Sequence, residues 1–183
     1  CSHWDYLGAN MRSGSITVEG NAGAFAACSM RGGLLTINGN VGDFLGAGFE
    51  GTRKGMLGGT IIVKGDAGDR VGDQMRRGLI LIEGNVGDYC ASRMIAGTIG
   101  VLGSAGDYLG FSMRRGTLLL TQQPRLTATM QDCGTHTLPF LRLLTKSFAN
   151  LDTAFKHLKL SRARRFVGDA ANNGNGEILV LTA

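Results

Sequence analysis

Met11, Met30, Met56, Met75, Met94 and Met113 stand 19, 26, 19, 19 and 19 residues apart, and a glycine follows each of them three residues later, at Gly14, Gly33, Gly59, Gly78, Gly97 and Gly116. The odd interval is 19 plus a seven-residue insertion. No other feature constrains the fold as much, because a short unit that cannot bury its own apolar face must stack on copies of itself. After each glycine comes a stretch with apolar residues at its second and fourth places: Ser15 to Glu19, Leu34 to Asn38, Thr60 to Lys64, Leu79 to Glu83, Thr98 to Leu102 and Thr117 to Thr121. That alternation predicts six strands. Five of them run into a corner signature, such as Gly39-Asn40-Val41-Gly42 and Gly65-Asp66-Ala67-Gly68. Glycine is expected there to supply positive φ, with Asn and Asp next best. A second short apolar stretch (Tyr6-Leu7, Phe25-Ala26, Phe44-Leu45, Arg70-Val71, Tyr89-Cys90, Tyr108-Leu109) leads to the next methionine, so each unit is predicted to hold two short strands and two corners.

Energetics favour stacking. About five inward side chains per unit contribute on the order of 10 kcal/mol, whereas ordering the backbone costs about 1–2 kcal/mol per residue. Pairing each strand with the units on either side turns the inward rows, methionines included, into one core. The expected fold is therefore all-β, a parallel β-helix (solenoid) of about six 19-residue coils. A six-residue beat, as in hexapeptide acyltransferases, does not divide 19, and nine-residue calcium-binding units are absent. The period does not fix handedness. Residues 1–123 form the expected β-helix repeat domain, with a loop insertion at 47–55. Residues 124–183 form the expected C-terminal helical capping segment and tail strand. Pro124 cannot continue the ladder. Leu144, Phe148, Leu151, Phe155 and Leu158 then follow a 4-3-4-3 spacing, which predicts an amphipathic helix with Pro139 near its start. That helix is expected to cover an open end of the stack, to dock a partner, or both.

Thirty glycines against two prolines, in a chain rich in Ile, Leu and Val, exclude collagen and Pro/Gly-type disorder. Cys1, Cys28, Cys90 and Cys133 contain no CxxC pair, and His3, His136 and His157 offer no ligand spacing beside them. The cysteines read as reduced thiols of a cytoplasmic protein, and neither a catalytic nor a metal site is expected. No signal peptide or apolar span argues for a membrane. The sequence begins at Cys1 rather than at a methionine, which leaves open whether residues precede it. Asp5, Asp43, Asp69, Asp88 and Asp107 recur as a column that suits turn capping or pairing with arginines of the Arg12, Arg31, Arg76 and Arg114 column better than paired-acid chemistry. Up to Gln123 there are 11 Lys or Arg against 10 Asp or Glu, and from Pro124 onward 8 against 4, so the tail carries the positive excess. Its cluster, Lys159, Arg162, Arg164 and Arg165, lacks interleaved aromatics apart from Phe166 and matches no nucleic-acid module. Candidate partner contacts are Phe49, Arg53 and Lys54 in the insertion, Phe148 and Phe155 on the helix, and Arg162, Arg164 and Arg165 in the tail.

The runs Gly55-Met56-Leu57-Gly58-Gly59-Thr60-Ile61-Ile62-Val63, Gly65-Asp66-Ala67-Gly68-Asp69-Arg70-Val71-Gly72 and Met75-Arg76-Arg77-Gly78 resemble the repeat of the C-type subunit of formylmethanofuran dehydrogenase. Ser92 to Ile99, Met113 to Leu118 and the ending Arg165 to Asp169 with Gly174 to Leu179 continue the likeness over nearly the whole chain. The repeat also resembles the C-terminal domain of the glutamate synthase large subunit, a right-handed β-helix. The resemblance implies that handedness and a non-catalytic scaffold subunit in tetrahydromethanopterin- and methanofuran-linked one-carbon metabolism. It implies no cofactor in this chain. Hydrolase-, formyltransferase- and B-type partner subunits would hold zinc, or molybdenum or tungsten, and the methanofuran-type carrier. A bacterial formyltransferase/hydrolase complex is the favoured assignment. The rivals are the archaeal Mo/W formylmethanofuran dehydrogenase, a stand-alone glutamate synthase-type domain, and a β-helical hydrolase or acyltransferase. Arg76, Arg77, Arg114 and Arg115 are the candidates for binding a glutamate-rich carrier tail.

Overall fold

The computed structural model describes residues 4–158 and 161–182; Cys1, His3 and Lys159 lie outside them. The six strands predicted from the alternation form as β1 (Ser15–Val18), β2 (Leu34–Ile37), β3 (Leu57–Val63), β4 (Arg77–Ile82), β5 (Thr98–Val101) and β6 (Thr117–Leu120). Each pairs parallel with the next, Ser15 opposite Leu34 and Leu79 opposite Thr98, and the insertion between β2 and β3 is absorbed so that Leu34 still meets Thr60. The corners stack too, through single parallel bridges from Ala22 to Val41, Ala67, Val86 and Ala105.

The tail holds β7 (Gln131–Thr137), the helix α1 (Pro139–Phe148), a 3₁₀ turn (Ala154–His157), β8 (Arg162–Gly168) and β9 (Gly176–Thr182). Strand β9 pairs parallel with β6, while β8 runs antiparallel to β9 and β7 antiparallel to β8. This overturns the expected right-handed parallel β-helix of six coils. The fold is a single nine-stranded, mixed and mostly parallel sheet, ordered β1-β2-β3-β4-β5-β6-β9-β8-β7, with one α-helix. The physical reason is the open edge of β6, whose unpaired N–H and C=O groups are satisfied by tail strands that do not repeat and so leave no periodic trace. Nor does the helix cover an end. Leu141, Phe148 and Phe155 pack with Leu81, Leu119, Ala163 and Leu179, residues of β4, β6, β8 and β9, in an apolar cluster separate from the main core.

The main core holds Leu35, Ile37, Ile61, Val63, Ile80, Ile82, Ile99, Val101, Leu118 and Leu120 with five fully buried methionines. Each methionine fits the following unit rather than its own: a Cβ on Gly97 would stand 2.8 Å from Met75 Cε, and one on Gly78 2.7 Å from Met56 Cε. These post-methionine glycines take the positive φ, +113° at Gly97. The corner glycines do not, contrary to expectation. They are required by close approach, since a Cβ on Gly39 would lie 2.7 Å from the Gly20 carbonyl.

The second apolar stretch of each unit is not a strand. Tyr6, Phe25, Phe44, Arg70, Tyr89 and Tyr108 have φ between 56° and 61°, and the residues two further on are again left-handed, from Ala27 at 54° to Gly110 at 69°. Consecutive turns result, closed by bonds such as Ala9 N–H to Tyr6 O at 3.0 Å and tied to the next unit by Phe25 N–H to Asp43 O at 2.8 Å. Aromatic side chains favour strands by propensity, so the composition points the wrong way here.

Candidate functional site

Each residue after a repeat methionine leaves the core, because the methionine itself points inward. Arg76 and Arg114 hold this place two units apart, with Ile95 between them, and their N–H groups donate to Met56 O and Met94 O at 2.8 Å. At about 4.8 Å per unit, their backbones stand about 10 Å apart. Both side chains line a cavity of about 490 Å³ together with Arg53, Gln74, Arg93, Ile95, Ser112 and Asn172. Arg53 enters from the insertion, and its carbonyl accepts from Arg76 Nη2 at 3.4 Å. Arg93 is held against the buried Asp73 carboxylate, Nε to Oδ1 at 3.0 Å, and Ser92 Oγ donates to the same oxygen.

One carboxylate therefore answers one of the four arginines. Among the described residues, no acidic side chain forms an ion pair with Arg53, Arg76 or Arg114. Arg76 Nε is buried with no hydrogen-bond partner. A second cavity of about 500 Å³ shares Arg53, Gln74 and Arg93 and runs under the insertion to Phe25, Phe44 and Phe49. The arrangement suits a ligand with more than one carboxylate, because guanidinium forks bind carboxylates through paired N–H···O bonds.

The aspartate column has a different occupation. Asp5 Oδ1 accepts from Ala24 N–H at 2.9 Å, Asp43 Oδ1 from Asp69 N–H at 2.8 Å, Asp69 Oδ1 from Asp88 N–H at 2.8 Å and Asp88 Oδ1 from Asp107 N–H at 2.7 Å. A parallel row, Asn21, Asn40, Asp66 and Asn85, does the same. Each side chain caps the next unit's corner, in line with the turn-capping expectation. Burial pushes the Cys28 thiol up to about 11 and the Cys90 thiol up to about 12, so neither is a ready thiolate. Among the described residues, no group of three or more His, Cys, Asp or Glu side chains is placed to hold a metal ion.

No family model matches the sequence, and no curated protein matches it. A solved structure does. The chain is 43% identical, with a TM-score of 0.91, to a chain in the X-ray crystal structure of the formyltransferase/hydrolase complex (FhcABCD) from Methylorubrum extorquens in complex with methylofuran, over 99% of this chain and 69% of that one. The chain belongs to the formyltransferase/hydrolase complex family.

In this member of the formyltransferase/hydrolase complex family, the candidate residues read from the sequence divide. Arg76 and Arg114 meet in the first cavity, while Arg77 and Arg115 are exposed and line neither cavity. Of the insertion residues, Arg53 joins the site, Lys54 is exposed, and Phe49 folds back with its ring 6.1 Å from that of Tyr6. Phe148 and Phe155 are fully buried, their rings 5.9 Å apart, so both are spent on the chain's own core. Arg164 pairs with Asp132 and Arg165 with Glu177, and Arg162 is exposed. Sequence reasoning misses Arg93. Its signal is the break of the column after methionine, where Ile95 stands between Arg76 and Arg114 and a neighbouring position supplies the charge instead. No helix among the described residues is long and apolar enough to cross a membrane.

Proposed function

We propose that this chain is a non-catalytic, C-type scaffold subunit of a cytoplasmic formyltransferase/hydrolase complex in tetrahydromethanopterin- and methanofuran-linked one-carbon metabolism. We further propose that its arginine-lined cavity receives the glutamate-bearing tail of the methanofuran-type carrier. The observation that carries the reading is the 43% identity, across 99% of the chain, with a chain of a complex crystallised with methylofuran. Hydrolase-, formyltransferase- and B-type subunits are its partners in this reading, and zinc, molybdenum or tungsten belongs to them.

Three arginines without a carboxylate partner support the tail assignment. Holding an anionic tail by one end confines the other end to nearby sites at raised effective concentration. Carboxylates already committed to corner N–H groups support a structural rather than catalytic role, and the free, buried thiols of Cys28 and Cys90 suit a reducing compartment.

The test is Arg76→Glu with Arg114→Glu in the assembled complex, beside Arg77→Glu with Arg115→Glu as control. Carrier titration should show affinity at least tenfold weaker for the first pair and near wild type for the second, with assembly intact in both. Equal affinity in the first pair would remove the tail assignment. Recovery of the chain as a lone monomer with its own turnover would remove the subunit assignment.

A further inference from the structure

The partly exposed rings of the left-handed stretches form a row. Tyr6 stacks on Phe25 with centroids 5.0 Å apart, Phe25 on Phe44 at 4.7 Å and Tyr89 on Tyr108 at 4.7 Å. Between Phe44 and Tyr89 the sequence has Arg70 in place of an aromatic residue, and its guanidinium carbon lies 5.9 Å from the Phe44 centroid and 4.7 Å from that of Tyr89. The row thus accepts a guanidinium as one of its own rungs, as the ring quadrupole allows.

Beyond Tyr108 no further ring follows. Tyr108 is 48% exposed, and Phe111, edge-on to Tyr89 at 6.0 Å, is 44% exposed. Exposed aromatic rings gathered at one place mark contact surfaces. Three carboxylates, Asp69, Asp88 and Asp107, and two guanidinium groups, Arg70 and Arg125, stand beside them; Asp69 and Asp88 each use Oδ1 on the next corner, and their Oδ2 has no partner among the described residues. Asp107, at the end of the row, draws Arg125, a side chain 89% exposed, to 3.8 Å. Twice, then, this chain sets one of its own guanidinium groups on this face, once on a ring and once on a carboxylate.

We propose that the face formed by Tyr108, Phe111, Asp88 and Asp107 docks an extended, arginine-bearing segment of a partner protein. Arginine suits both elements, stacking flat on the rings while its fork reaches a free carboxylate oxygen. The unpaired Oδ2 atoms of Asp69 and Asp88 favour a cationic group over the phosphates of nucleic acid or anionic lipid, which makes an arginine-bearing polypeptide the complementary occupant. None of these residues lines the arginine-lined cavity, although Phe111 adjoins it through its carbonyl, which accepts from Arg93 N–H at 2.7 Å. The inference rests on the reading above only in requiring a partner subunit.

The experiment uses the full chain assembled with its partner subunits. Asp88→Asn with Asp107→Asn removes charge while keeping the Oδ1 acceptor, the role Asn21, Asn40 and Asn85 already play in the adjoining row. Affinity for the partner subunits should fall at least tenfold, and its dependence on salt should flatten, with the chain's melting temperature unchanged. Tyr108→Ala with Phe111→Ala should weaken assembly by a similar factor. A photo-crosslinking phenylalanine placed at position 108 should attach to an arginine-bearing segment of a different polypeptide. Wild-type affinity in both variants, or attachment only to a second copy of this chain or to none, overturns the inference alone. A wild-type chain that assembles with no other subunit overturns the complex reading and this inference with it.

Discussion

Gly97 shows how tightly single positions are specified. Its φ of +113° is unfavourable for any side chain, and an added Cβ would stand 2.8 Å from the buried Met75 Cε. Strain and overpacking together predict that Gly97→Ala costs about 3 kcal/mol. Gly51, with φ of +76° and nothing within 4 Å of a would-be Cβ, isolates the first effect. Gly51→Ala should cost about 1 kcal/mol, and urea denaturation of both variants checks the difference. Asp169 is a second such position. Burial opposes its ionisation, but hydrogen bonds from Thr129, Asn172, Ser112 N–H and Ala171 N–H outweigh it and hold the carboxyl below the usual range. A carboxyl whose folded pKa is depressed stabilises the fold above its unfolded pKa, and that stability is lost as pH falls through the folded value. Denaturation midpoints measured downward from pH 6 should therefore drop in the acid range, and Asp169→Asn should flatten that drop.

At the scale of elements, α1 and the 3₁₀ turn after it depend on the outer face of the sheet. The outward position is Thr17 in β1 and Thr36 in β2, then Ile62, Leu81, Gly100 and Leu119 in the following four strands. The change from threonine to aliphatic residues sits at the strands that the tail elements cover, and Gly100 makes room for Phe155, whose Cε1 would lie 2.6 Å from a Cβ there. This is legible in the sequence, but it requires comparing the same position across units rather than along one strand. Phe155→Ala should cost about 3–5 kcal/mol. Relative to the wild type, hydrogen exchange in that variant should speed up most over 139–158, with β2 and β3 unchanged. The strands β7 and β8 are harder to read. Arg162, Arg164 and Arg165 put charge where a buried strand would carry apolar residues, and only Ala163 and Phe166 are buried among the apolar side chains there. The arginine cavity is half legible: Arg76 and Arg114 share a register, whereas Arg53 and Arg93 reach it through a loop and a left-handed turn that no period announces.

Across the whole molecule, most pairings join a unit only to its neighbours, so the strands inside the stack are secured on two sides. Strand β1, at a sheet edge, is secured on one and leaves Ile16 and Val18 half-buried. Opening should start there, and amide exchange should be fastest at 15–18 among the six repeat strands. The seating of each methionine beneath the following unit's glycine makes this opening chemically visible. A thioether shielded on every side resists conversion to the sulfoxide, and Met30, Met56, Met75, Met94 and Met113 have no exposed surface, while Met11 has some. Brief treatment with dilute peroxide should mark Met11 first and the remaining five only as each neighbouring layer lifts away. The row is a graded record of how far the stack has come apart, readable by peptide mass alone.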